Sequence, residues 1–223
     1  MNRFIFMLGA ACATVTSVYA QAQLFSATSF SQNTARRDEW LAAAGITAPT
    51  FLENFEAIAV GTNISGDSSI LPGGLTMTIA TPQTLTVTDS ASAMGSSNPI
   101  DLRAVAVRED FQVTFTFATA VDYIGGFVID PGSVDGVLTF ADATTQAYTF
   151  NTDGASSGNT AKFWGFYRND RPAISSLTLF VRGGDNESGL DNIQFGNQPV
   201  PEPATIAVLG LAITALARRR KRA

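Results

Sequence analysis

Val113-Thr114-Phe115-Thr116-Phe117 alternates a large apolar residue with threonine at every step. Period two is the repeat of an extended strand, whose successive side chains point to opposite faces of a sheet. The stretch therefore offers an apolar face to a core and a hydroxyl face to something else, and the β-branch of threonine suits the pleated surface. The pattern recurs on both sides. It appears in Thr76-Met77-Thr78-Ile79, Thr84-Leu85-Thr86-Val87-Thr88, Val137-Leu138-Thr139-Phe140, Tyr148-Thr149-Phe150, Leu177-Thr178-Leu179-Phe180-Val181 and Ile193-Gln194-Phe195. Clusters of turn-forming residues separate these runs: 61–66, Pro72-Gly73-Gly74, Asp130-Pro131-Gly132, 151–158 and Gly183-Gly184-Asp185-Asn186. Roughly eight to ten such strands predict an all-β domain, a two-sheet antiparallel sandwich of jelly-roll type rather than a barrel. No internal repeat of fixed period is visible.

One segment breaks the β pattern. Asn33 to Gly45 is rich in alanine, has Asn33 or Thr34 placed to cap its start, and has Gly45 placed to end it. It predicts one short N-terminal helix, with Trp40, Leu41 and Ala44 on a face that could cover a sheet edge.

The two ends of the chain are of another kind. Met1-Asn2-Arg3 is a basic start, Phe4 to Val15 is apolar, and Ser17-Val18-Tyr19-Ala20 offers small residues where a signal peptide is cut. Residues 1–20 read as a secretory signal peptide, with an uncleaved anchor as the alternative. Its users are the Sec translocon and signal peptidase. At the other end Pro201-Glu202-Pro203 precedes fourteen uncharged residues, Ala204 to Ala217, and then Arg218-Arg219-Arg220-Lys221-Arg222. Fourteen helical residues rise about 21 Å, short of the roughly 30 Å hydrocarbon core. Arginine stems reaching for headgroups make up part of the difference. The basic cluster holds the last residues on the cytoplasmic side and leaves the domain outside. A buried core helix is the competing reading, but only Thr205 and Thr214 interrupt the apolar surface, and a core helix needs a polar face. The expected organisation is a signal peptide (1–20), a sandwich ectodomain (21–198) and a tail (199–223) with a C-terminal transmembrane helix at 204–217 and a basic end at 218–223.

Val200-Pro201-Glu202-Pro203-Ala204-Thr205, followed by a short apolar helix and a terminal Arg/Lys cluster, resembles the PEP-CTERM sorting signal of Gram-negative bacteria. The resemblance implies recognition near Pro201, Glu202 and Pro203 by an exosortase, a membrane-embedded cysteine protease-transpeptidase. It implies transient insertion in the inner membrane and a mature form at the cell surface or outside the cell. The middle of the chain also carries a looser likeness, in the helix leading to Asn54-Phe55-Glu56, then Gly125-Gly126-Phe127, Phe163-Trp164-Gly165-Phe166, 174–179 and 189–196. It is similar to the ectodomain common among PEP-CTERM proteins and, more distantly, to lectin-like and carbohydrate-binding jelly rolls. The likeness implies a sandwich whose first and last strands pair, and no activity.

Composition narrows the chemistry. The only cysteine, Cys12, lies in the expected signal peptide, so the mature chain has no disulfide, thiolate metal site or cysteine nucleophile. There is no histidine, which removes Ser-His-Asp catalysis and His-ligated zinc. Setting aside Arg3 and the five terminal cations leaves 8 of the 14 basic residues against 19 acidic ones, a net charge near −11. Such a domain is repelled by nucleic acid and by anionic membranes and is compatible with divalent cations.

Three constellations invite chemistry. In carbohydrate-binding jelly rolls an acid of the first strand and one entering the last often hold calcium, and Glu56 with Asp191 occupies those places. Glu53 and Asn192 could assist, since calcium takes six to eight oxygens. The plain reading is that Asp191 ends a turn and Glu56 is exposed. Trp164 and Tyr167, in the densest aromatic run, could form a platform for stacking sugars, or all these rings could be packing. Alternation puts Phe163, Gly165 and Tyr167 on one face, Trp164 and Phe166 on the other, and one of the two must be core. Asp130 and Asp135 could serve as paired carboxylates for glycoside hydrolysis, or simply flank a Pro-Gly turn. The sequence thus leads to an exported, non-catalytic module for adhesion or association with extracellular polysaccharide in a biofilm. The alternative is a secreted glycosidase.

Overall fold

In the computed structural model of the chain, the described residues are 22–66, 71–80, 83–89, 103–108, 110–129, 131–150, 161–168, 173–183 and 187–198. The expected signal peptide (1–20) and the tail (199–223), with its apolar run 204–217, lie outside them, as does Asp130.

Twelve strands form the described domain: β1 (Gln23–Ser26), β2 (Phe51–Glu53), β3 (Leu75–Ile79), β4 (Thr86–Asp89), β5 (Arg103–Arg108) and β6 (Phe111–Val121), then β7 (Tyr123–Ile129), β8 (Pro131–Phe140), β9 (Thr145–Phe150), β10 (Ala161–Tyr167), β11 (Ile174–Gly183) and β12 (Glu187–Gly196). Among the described residues one α-helix, α1 (Asn33–Ala43), lies between β1 and β2, preceded by a short 3-10 turn at Phe30–Gln32. The strands make a seven-stranded sheet in the order β1-β10-β7-β12-β5-β4, with β2 also paired to β12, and a five-stranded sheet in the order β3-β6-β11-β8-β9. All pairs are antiparallel. From β5 onward the chain passes between sheets at almost every connection, as a jelly roll does. The two-sheet sandwich is as the alternation predicts.

The core between the sheets is built by the in-phase apolar residues. Met77, Val113, Phe115, Leu138, Leu177 and Leu179 come from the five-stranded sheet, and Ile124, Trp164, Phe166, Leu190 and Ile193 from the seven-stranded one. Tyr148 reaches in from β9 to lie 4.9 Å from Phe166, ring centre to ring centre. Its hydroxyl donates to the Ala22 carbonyl, and burial pushes its pKa up to about 12.

A second core lies on the outer side of the seven-stranded sheet. Trp40 of α1 is fully buried there, edge-on to Tyr123 and tilted against Phe163. Its indole N–H donates to the Phe166 carbonyl at 3.0 Å. Gly125 and Gly165, paired across β7 and β10, make room for it. A Cβ on either would come within 2.9–3.0 Å of the indole. The helix covers the sheet face rather than its edge.

Two local expectations change. Asn33 does not cap the helix, which starts after Gln32 without a side-chain cap. Its amide instead donates to the Ala161 carbonyl (2.8 Å) and accepts the Phe163 N–H (2.9 Å), spending both ends on β10. The C-terminus behaves as expected: Gly45 takes a left-handed conformation. The Gly45 and Ile46 amides close back on Ala42 and Leu41, the Schellman arrangement. Pro131-Gly132, expected in a turn, opens strand β8, with Pro131 opposite Gly183. Proline is tolerated as a first strand residue, where its missing N–H is not required.

Candidate functional site

Trp164 and Tyr167 are not a platform. Trp164 has no exposed surface, because its face of β10 is the intersheet core. Its indole N–H meets no acceptor among the described residues. Tyr167 faces the other way and is 6% exposed, packed into the cluster that surrounds Trp40. The sequence required one face of this strand to be core. Both are, because α1 closes the second.

The first described strand, β1, pairs with β10 and not with the last strand, β12, and Glu56 lies in the turn after β2 rather than on a strand. β2 lies beside β12, with Glu53 opposite Ile193. Asp191 is fully buried two residues before Ile193, and its Oδ1 accepts the Asn192 N–H at 2.6 Å. Asn192 and Phe55 both adopt left-handed backbone angles, an uncommon state for such residues. The Phe55 N–H donates to Glu53 Oε1, and the Glu56 N–H to Asn54 Oδ1 at 3.3 Å. Burial raises the Glu53 pKa, and the bond from Phe55 partly offsets this. Two hard carboxylates next to a strand pair suit calcium in kind. Among the described residues no group of three or more His, Cys, Asp or Glu side chains gathers, so backbone carbonyls would have to complete a shell.

Among the described residues the outer face of the five-stranded sheet is open. Its register aligns side chains in rows. One row reads Thr76, Thr116, Ser176, Thr139 and Thr145; the next reads Thr78, Thr114, Thr178, Val137 and Ala147; a third reads Gln112, Phe180, Asp135 and Thr149. None of these residues is buried. Thr114 and Thr178 hydroxyls bond each other at 3.0 Å. Phe180 lies between Gln112 and Asp135, and Asp135 pairs with Arg182 at 3.5 Å. An aromatic ring set among an amide, a carboxylate, a guanidinium and hydroxyls can stack on the C–H face of a sugar while its neighbours bind the sugar hydroxyls. Sequence reasoning passed over Phe180, although the signal was present. In Leu177-Thr178-Leu179-Phe180-Val181 it is the apolar residue at the polar phase of the alternation. Val137 breaks phase in the same way on β8, diagonal to Phe180, a separation that a large ring can span.

Asp135, one of the two carboxylates considered for hydrolysis, therefore sits on an open sheet face rather than in a turn. Its proposed partner Asp130 lies outside the described residues.

Among solved structures, the chain is similar to the CBM22-1 xylan-binding domain from Paenibacillus barcinonensis Xyn10C, at 14% identity and TM-score 0.38 over 68% of this chain and 98% of that one. It is similar to TmCBM61, solved in complex with β-1,4-galactotriose, at 13% identity and TM-score 0.37 over 64% and 92%. It is also similar to the enzymatically active domain of the bacteriophage CBA120 tailspike protein 4, at 13% identity and TM-score 0.35 over 55% and 19%. Likeness at this level says nothing about a ligand. No curated protein matches the chain. Among the described residues no helix is long and apolar enough to cross a membrane. Residues 199–222 match the model of the PEP-CTERM protein-sorting motif, and by that motif the chain is a PEP-CTERM protein.

Proposed function

We propose that this is an exported, exosortase-sorted surface or matrix protein whose non-catalytic sandwich associates with extracellular polysaccharide through the open face of the five-stranded sheet. One observation carries the binding part: Phe180 stands out of phase on an uncovered, hydroxyl-rich face, flanked by Gln112, Asp135 and Thr178. A net charge near −11 for the exported part argues against nucleic acid as the partner. In this reading residues 1–20 are removed on export, 204–217 hold the precursor in the inner membrane, and processing near Pro201-Glu202-Pro203 ends the membrane stage. A glycan array probed with the processed protein tests the binding. Retention of one or more polysaccharides is expected, and an empty array would leave a purely structural role. For sorting, Glu202→Ala with Pro203→Ala should leave a membrane-held precursor, read as intact mass in the membrane fraction. A mature mass unchanged from wild type would remove exosortase from the account.

The pairing of β2 with β12, which ends three residues before Glu56, supports a subsidiary reading, in which Glu56 and Asp191, with neighbouring backbone carbonyls, hold a structural calcium ion. Its chemistry would be cross-linking of β12 to the turn after β2. Running the same array and a thermal melt with calcium and with chelator checks it: a higher melting temperature in calcium is expected, and identical melts would dismiss it.

A further inference from the structure

The two ends of the described domain meet at one end of the sandwich. A single row of the seven-stranded sheet runs Gln23, Tyr167, Tyr123, Gly196 across β1, β10, β7 and β12. Three strand spacings separate its first and last members, about 14 Å. Among the described residues Gln23 is the first strand residue and Gly196 the last. Beyond Gly196 the chain is fastened again. The Gln198 N–H donates to Asp122 Oδ2 at 3.0 Å, and its side-chain amide donates to the Ala44 carbonyl at 2.6 Å and to the Tyr167 hydroxyl at 2.9 Å. The Asp122 N–H in turn donates to the Gly196 carbonyl at 2.9 Å. Gln198 thus ties the C-terminal strand to the helix end, to β10 and to the β6–β7 corner.

This fastening leaves little free chain. Five residues separate Gln198 from Ala204, where the apolar run begins, and the six Cα–Cα steps between those two span at most about 20 Å. Three of the five residues between them are proline, which stiffens the segment and resists folding it back.

We infer that the Asp122–Gln198 end of the sandwich is a membrane-facing surface of the precursor, held against phospholipid headgroups by the short tether that the Gln198 clamp defines. The five-stranded sheet shares this end. Val121, Ile174 and Phe140 form one row there, and the Ala141 N–H donates to the Ala173 carbonyl beside it. The turn from Ala141 to Thr144 therefore lies at the membrane end, whereas Ala80, whose N–H donates to the Gln112 carbonyl, lies at the far end. The open face around Phe180 runs along the sandwich between these ends, not at the membrane surface, so a polysaccharide could be bound before processing. Proximity is imposed by the tether against the repulsion between an acidic domain and anionic lipid, so cutting near Pro-Glu-Pro frees this end as well as the chain. The inference rests on the reading of 204–217 as the membrane segment.

The test uses the full chain with Glu202→Ala and Pro203→Ala to keep the tail, Cys12→Ser to remove the only native thiol, and a single new cysteine. Ala141→Cys reports the membrane end and Ala80→Cys the far end; both positions are exposed. The protein is reconstituted in phospholipid vesicles and labelled with a bulky polyethylene-glycol maleimide. Labelling at 141 should be several-fold slower than at 80 in vesicles and equal to it in detergent. A long Gly/Ser insertion after Gln198 should abolish the difference in vesicles. Equal rates at 141 and 80 in vesicle-bound protein would overturn the inference. Failure of the precursor to enter the vesicle fraction would overturn the membrane reading beneath it, which separates the two. Unchanged protection after the insertion would contradict the tether as the cause.

Discussion

The two sheets of this sandwich use their outer faces in opposite ways. The seven-stranded sheet is closed on both sides at β7 and β10, which bury every residue they contain, because α1 places Trp40 over the Gly125–Gly165 pair. The five-stranded sheet is closed on one side only, and its other face is a field of threonine hydroxyls interrupted by Phe180 and Val137. The difference shows where the domain keeps its stability and where it can interact with something else. A face that supplies a core cannot also supply a binding platform, which is why the densest aromatic run in the sequence is not the site.

The sharpest way to break this contrast is to uncover the closed face. Trp40→Ala removes a fully buried indole and its bond to Phe166, and should cost about 3–5 kcal/mol of unfolding free energy, read as a lower midpoint in urea denaturation. A loss near zero would mean that the helix is not a structural lid. A smaller effect comes from Glu53, at the margin of the closed sheet. Its pKa is raised in the folded state, chiefly by burial. The folded state therefore favours its protonated form, which contributes stability below the ordinary glutamate range, and this contribution is lost as pH rises through the raised value. Compared with Glu53→Gln, which keeps the acceptor for Phe55, wild type should gain stability on acidification from neutral pH towards about pH 4. Parallel stability profiles for the two proteins would contradict the shift. The smallest effect belongs to the open face. Thr178→Val trades one hydroxyl bond for another β-branched residue and should change stability by about 0.5 kcal/mol or less, measured by the same denaturation.

The contrast also explains what the sequence could and could not tell. Where a sheet is half-buried, alternation writes both faces into the chain, and Thr76-Met77-Thr78 or Val113-Thr114-Phe115 can be read directly. Where a sheet is buried twice, as in Tyr123-Ile124-Gly125-Gly126-Phe127, alternation vanishes, and the cover comes from a helix about ninety residues away in sequence. Asn33 looked like a cap because caps are local, whereas its real partners belong to β10. Pro131-Gly132 looked like a turn because both residues favour turns, and only the pairing with Gly183 reveals the strand. The expectation that the first and last strands pair followed from a resemblance, not from the residues themselves, and β1 pairs with β10 instead. Phe180 was legible as a phase error, a weaker signal than a run of rings but the more informative one here.

The account turns on Phe180, so the most direct measurement compares wild type with Phe180→Ala for binding to whichever polysaccharide the array identifies. Both proteins are first matched for thermal melting, since Phe180 stands outside the core. Loss of most of the binding in Phe180→Ala, with folding intact, is the predicted result. Equal binding by the two proteins would contradict the assignment of the open face as the polysaccharide site.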